Sequence, residues 1–369
     1  RRVDTTIASG ALGVTDGTDK SLTAGCGLDP RTADIRRPQV SWDGTRVAFA
    51  ARSSASEPLA VYEMNADGSS CSKHPGINTT PPSENGLLVH NFDPTYAPPD
   101  GGFSRIVFAS TRGNLSNAAY DYQGPQRTPA DPTKPNSNLY VLEPNPAAPA
   151  QTRVRQLTFL LNMERQPSFM NDGRIIFTAE KRAPGFYQLS LRRLNLDTGD
   201  YHPLYAQRGS IGFPEATQVV ELADKDFATI FSVQASPGGA GTLGVFNRSI
   251  GIDFTSSDPA DYPVDPGVLD PAQLQAPDPA FFLRSLRFPD RAANPRPGQP
   301  TSGFYTSPAA LPSTSLLVSF DPGGGDYDVY VMEPGSGAKT KLFGDPSSAE
   351  VDAVAVYARF PRRIYRSRL

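Results

Sequence analysis

The chain has 369 residues and a net charge of −3, which gives nucleic acid or anionic lipid little to neutralise and excludes binding by bulk charge. Its 37 prolines and 32 glycines, with 38% hydrophobic residues, exclude a bundle of long helices and point to many turns and long loops. No run of about eighteen apolar residues reads as a membrane-spanning helix, and the length suits one large all-β domain or two ordinary ones.

Residues 1–35 form an N-terminal segment that opens at Arg1 without an apolar leader, as expected of a mature or trimmed chain. The segment carries Cys26, and Cys71 is the only other cysteine. A disulfide between them would close a loop of about 45 residues, worth roughly 3 to 4 kcal/mol, two separate buried thiols being the alternative.

From residue 36 a repeated unit begins. "PQVSWDGTRVAFAAR" from Pro38, "PTYAPPDGGFSRIVFASTR" from Pro94 and "PSFMNDGRIIFTAEKR" from Pro167 share an opening proline, an Asp-Gly turn and an alternating strand that carries a phenylalanine. A second strand follows each, "LAVYEMNADG", "NLYVLEPN" and "YQLSLRRLNLDTGD", and then a short closing strand such as "VRQLTF" or "YHPLY". Four short antiparallel strands, repeating at intervals of 56 and 73 residues, predict the blades of a β-propeller with insertions. The Asp-Gly pairs at Asp43, Asp67 and Asp172 follow the blade spacing and read as turn chemistry.

"FPEATQVVELADKDFATIFSVQ" from Phe213 is a degenerate fourth copy, and the stretch from Tyr305 to Phe343 a clearer fifth, with Ser-Thr in place of Asp-Gly. "VDAVAVYA" near the C-terminus, together with strands near the N-terminus, would close the ring. The expected fold is therefore an all-β propeller over 36–369 with six blades, five or seven being the other counts the spacing allows, and with residues 1–35 contributing to the closing blade.

Insertions fall at 113–137 and 249–300. The first holds Tyr120 and Tyr122, which could anchor a partner or lie in a solvated excursion. The stretch 249–283 has six aspartates and no Lys or Arg, and the basic "RSLRFPDRAANPRPG" after it could fold back on it. The ending "RFPRRIYRSRL" holds five arginines in eleven residues, a solvated tail or a contact for an acidic partner. In "DPGGGDYD", Asp321, Asp326 and Asp328 surround three glycines, an oxygen-rich loop that could hold Ca²⁺ or serve as a plain hairpin loop. His74, His90 and His202 stand at no metal-ligand spacing and receive no role, although His74 and His90 could meet on one rim. Neither a Gly-x-Ser-x-Gly elbow nor a phosphate-cradling Gly-rich loop occurs, so no catalytic residue is assigned.

The unit "PxxSxDGxxVAF…YEMNADG" resembles the TolB-like propeller repeats, whose consensus joins a Pro-x-x-Ser-Pro-Asp-Gly turn to a strand ending in Phe; here Trp42 replaces the second Pro. The resemblance spans roughly residues 36 to 345. The stretch from Tyr305 to Tyr365 also resembles the propeller region of proteins similar to the hydrazine synthase alpha subunit. These resemblances imply a periplasmic or cell-surface location and a place beside other envelope proteins or cytochrome subunits. The Cys-x-x-Cys-His signature is absent, so any haem would come through a partner. Three functions follow as expectations: a non-catalytic interaction or scaffold propeller, a subunit of a cytochrome-containing redox complex, or a propeller that binds a small ligand in its central funnel.

Overall fold

The structure is a computed structural model that describes residues 1–8, 11–15, 17–29, 31–84, 86–99, 103–114, 136–160, 162–183, 186–205, 213–232, 239–247, 286–290, 303–323 and 325–360. Tyr120 and Tyr122, the acidic stretch 249–283 and the tail beyond Phe360 lie outside these residues.

An N-terminal hairpin pairs β1 (Thr5–Ala8) with β2 (Ala11–Val14). The first unit is β3 (Asp34–Val40), β4 (Arg46–Arg52), β5 (Ala60–Asn65) and β6 (Ser72–Lys73), antiparallel and paired in chain order. A small hairpin of β7 (Ser83–Glu84) and β8 (Leu87–Leu88) precedes the second unit, β9 (Asn91–Tyr96), β10 (Ile106–Ser110), β11 (Asn138–Asn145) and β12 (Ala148–Gln156). The third unit is β13 (Glu164–Phe169), β14 (Ile175–Ala183), β15 (Phe186–Leu194) and β16 (His202–Tyr205), and the fourth is β17 (Glu215–Glu221), β18 (Asp226–Ser232) and β19 (Thr242–Asn247). One parallel pair, Leu189 with Glu215, joins these two. The fifth is β20 (Phe304–Ala310), β21 (Leu316–Asp321), β22 (Asp328–Met332) and β23 (Lys339–Phe343).

The Asp-Gly turns behave as their chemistry predicts. Gly44, Gly68 and Gly173 have φ of 76°, 91° and 86°, the left-handed region where a side chain would be strained. Asp43 accepts from the Ser41 hydroxyl at 2.6 Å and Asp67 from that of Ser69 at 2.6 Å, bonds that hold both carboxyls below their ordinary values. The repeated proline has a different place from the one expected. Pro38, Pro94 and Pro167 do not open the unit but sit inside its first strand, at a β-bulge where a ladder N–H is not needed.

Neighbouring units are glued by apolar layers. Phe108, Tyr140, Phe177 and Ile175 share one cluster across the second and third units; Tyr205, Phe213, Phe231 and Phe246 another across the third and fourth. The predicted insertion at 249–300 is not loop throughout. Leu286 and Phe288 are wholly buried in the latter cluster, and Arg287 exchanges backbone hydrogen bonds with Val245 at 2.8 and 2.9 Å, giving the fourth unit its outer edge. Arg287 pairs with Asp226 of that same unit at 2.9 Å.

The chain's two ends meet at one seam. Val354 packs with the first unit's cluster, whereas Ala353 and Ala355 pack with the fifth, so alternate residues of this extended segment face opposite neighbours as in a strand. Leu12 of the N-terminal hairpin joins the fifth unit's cluster. Arg359 donates its backbone N–H to the Trp42 carbonyl at 2.6 Å, and its guanidinium lies 4.6 Å over the Trp42 ring. A Cβ on Gly44 would come within 3.0 Å of the Tyr357 backbone, so a glycine is needed there for close approach as well as for its φ. The Cys26–Cys71 disulfide is formed and ties the 3-10 turn Thr23–Cys26 to the edge of the first unit.

Candidate functional site

The first strands of successive units pack side by side, and each carries at its bulge a residue with left-handed φ: Arg37 (53°), Asp93 (49°), Gln166 (56°), Gln218 (59°) and Ser307 (53°). Asp352, in the seam segment, has the same conformation at 57°. Four of these six residues precede a proline, at Pro38, Pro94, Pro167 and Pro308.

These six positions are wired to one another. The Gln166 N–H donates to Asp93 Oδ2 (2.9 Å), the Gln218 N–H to Gln166 Oε1 (3.1 Å), and the Ser307 N–H to Gln218 Oε1 (2.7 Å). Ser307 Oγ then donates to Asp352 Oδ1 (2.9 Å), and the Arg37 N–H to Asp352 Oδ2 (3.0 Å). The left-handed backbone turns each N–H toward the previous unit's side chain, so each unit caps the next. The relay stops at Arg37 because a guanidinium has no acceptor to offer the unit that follows. Asp93 on the far side of that break is buried, and burial pushes its carboxyl up, opposed by the charge of Arg37.

Beside the ring lies an open cavity of about 370 Å³. Arg37, Ser307 and Asp352 line its ring side, while Phe169, Val220 and Leu311 provide apolar wall. Glu221 also lines it and accepts from the Asn171 N–H at 2.6 Å.

The residues expected from sequence are not gathered here. Asp321 accepts the N–H groups of Gly323 and Gly325 (2.7 and 2.9 Å) and so shapes its own loop, and Asp328 pairs with Lys341 at 2.7 Å. Asp326 is half-buried nearby, and no three His, Cys, Asp or Glu among the described residues cluster as a metal site. His74 and His90 do not meet on one rim. His74 lies within the fields of Arg46 and Glu63 and His90 within those of Arg52, Arg36 and Asp34, at opposite ends of β4. Each uses Nδ1 to accept a backbone N–H, from Gly76 at 3.3 Å and from Leu59 at 3.0 Å. His202 lies half-buried on β16.

His90 is a stability element. Burial first, and then Arg52 and Arg36, lower it to about 4, so it is neutral when folded and protonates more readily when unfolded. Its contribution is complete above the unfolded value near 6.5 and is lost as pH falls toward 4. His90→Asn, which keeps an acceptor for Leu59, is expected to flatten the stability loss between pH 7 and pH 5 by roughly 1–2 kcal/mol, read from denaturant midpoints at both pH values.

The sequence matches no protein-family model and no curated protein. In three dimensions it is similar to hydrazine synthase of Kuenenia stuttgartiensis, 19% identical, with a TM-score of 0.63 over 96% of this chain and 44% of that one. It is also similar to TolB of Acinetobacter baumannii, 12% identical, with a TM-score of 0.53 over 93% of this chain and 61% of that one. The fold is a β-propeller. The chain spans less than two thirds of either protein's length, and at these identities the likeness extends to the fold alone. In propeller terms the six wired positions ring the central axis, and the cavity is a mouth of its funnel.

The ring was not read from the sequence. Arg, Asp, Gln, Gln, Ser and Asp share no side-chain type, and the one available signal was the proline after four of them.

Proposed function

We propose that the chain is a docking propeller of the bacterial envelope, a rigid ring whose seam face binds another protein. The observation that carries this reading is the seam segment itself. Val351, Val356 and Phe360 are 51%, 51% and 86% exposed on a stretch whose Val354 packs against the first unit and whose Ala353 and Ala355 pack against the fifth. Large apolar side chains presented to water from a fixed backbone are what a protein partner can cover at small entropic cost. The disulfide supports an oxidising compartment outside the cytoplasm, and the likeness to TolB supports the envelope.

A second reading is favoured by the 96% coverage of this chain on hydrazine synthase. In it the propeller is a subunit of a cytochrome-containing redox complex and the haem comes from another chain. Native mass spectrometry of the gently extracted protein, with denaturing analysis of haem on each subunit, separates the two. A stoichiometric haem-free partner supports the docking propeller, and a haem-bearing partner supports the redox complex. A bare monomer overturns both. The double variant Val356→Asp and Phe360→Asp is expected to weaken the complex at least tenfold while leaving the melting temperature unchanged, because both side chains are exposed.

A further inference from the structure

The axial cavity holds a set of polar groups that the protein itself does not use. Arg37 engages the ring through its backbone N–H and through the field of its charge at Asp93; its guanidinium makes no hydrogen bond or ion pair with any described residue. The side chains of Gln39, Ser168 and Asn171, which line the same cavity, likewise make no hydrogen bond with a described residue. The cavity's carboxylates stand in contrast. Asp352 accepts from the Arg37 N–H and from Ser307 Oγ, and Glu221 accepts from the Asn171 N–H. Uncommitted hydrogen-bonding capacity therefore sits on a cation and three neutral polar groups, beside apolar wall from Phe169, Val220 and Leu311.

We propose that this cavity binds a small organic carboxylate, with the Arg37 fork on the carboxylate and the ligand's apolar body against Phe169, Val220 and Leu311. A guanidinium offers two parallel N–H donors that match a carboxylate, and partial enclosure strengthens the pair. The volume of about 370 Å³ lies in the range of small-molecule sites. Arginine at this one ring position has a structural consequence as well: it interrupts the relay of side-chain acceptors and leaves a charge lining the funnel. The inference does not rest on the docking reading: Phe360 lines this cavity as well as the seam face, but the ligand contacts are placed on Arg37, Phe169, Val220 and Leu311.

The test is calorimetric titration of the whole chain with 3-phenylpropanoate, benzoate and hexanoate, beside 3-phenylpropanamide and 3-phenylpropylamine. The expected result is saturable binding of at least one carboxylate, with the amide at least tenfold weaker and the amine without binding. Arg37→Met keeps the backbone N–H that Asp352 accepts, so the ring is retained; it is expected to lose carboxylate binding at least tenfold, and Arg37→Lys less. Ser168→Ala with Asn171→Ala, which leaves Arg37 in place, is expected to weaken binding by a smaller factor. No saturable binding of any of the three carboxylates, tighter binding of the amine, or undiminished binding in a folded Arg37→Met would each overturn the proposal. Complex formation through the seam is unaffected by Arg37→Met, which keeps failure here distinct from failure of the docking reading.

Discussion

Reduction of the Cys26–Cys71 bond is expected to lower the stability of the propeller by about 4 kcal/mol, the chain-entropy value for a closed loop of this size. The bond spans 45 positions and anchors the N-terminal segment, where Leu22 and Cys26 pack against the first unit's cluster of Val47, Phe49 and Met64. That segment also carries the hairpin whose Leu12 covers the fifth unit beside Ala353 and Ala355. Opening the bond therefore releases cover from both sides of the seam, and the loss extends past the loop it closes. The check is guanidinium denaturation with and without reductant. The midpoint should fall on reduction, and Cys26→Ser should show the low midpoint in both conditions. A wild-type midpoint indifferent to reductant would remove the disulfide as a stabilising element.

Asp352→Ala is expected to cost about 3 kcal/mol, and Asp352→Asn less than about 1 kcal/mol. The carboxylate accepts from two neighbours, the Arg37 N–H at 3.0 Å and Ser307 Oγ at 2.9 Å, and so links the two blades that flank the seam. Alanine leaves both donors without that acceptor and must also adopt a φ of 57°, where asparagine and aspartate are tolerated better than alanine. Asparagine can offer Oδ1 to the Arg37 N–H while its amide turns to Ser307 Oγ, which keeps the link without the charge. Denaturant midpoints of the two variants measure the difference. Faster amide exchange confined to residues 352–359 in Asp352→Ala would place the damage at the seam. Equal stability of the two variants would mean that the side-chain relay does not hold the ring together.

The blade was legible because its signals are local. Alternation in "RVAFA" and "RIIFT", with an Asp-Gly that turns within four residues, fixes strand, turn and strand whatever surrounds them, and β4, β10 and β14 lie where these patterns stand. The proline was read correctly as a mark of the repeat and incorrectly as its opening residue. A proline at a bulge and a proline at a turn are the same letter in sequence, and only the preceding left-handed residue distinguishes them. Spacing places Asp321, Asp326 and Asp328 around three glycines, and spacing does not reveal that Lys341 on the next strand pairs with Asp328. Within the stretch 249–300, Leu286 and Phe288 are too short an alternation to announce a strand; they are placed by the aromatic cluster they fill.

The sequence by itself determined the repeated four-stranded unit, its turns and the possibility of one disulfide, all consequences of residue chemistry acting over a few positions or of there being only two cysteines. The tertiary structure decided the ring of Arg37, Asp93, Gln166, Gln218, Ser307 and Asp352, the seam that joins residues 352–359 to the first unit, and the cavity that Arg37 lines. The physical reason is that each of these depends on closure. A backbone N–H in one unit finds its acceptor on a side chain 52 to 89 positions away, and across the seam 315 positions away, so no local pattern encodes the pairing until the blades stand around a common axis.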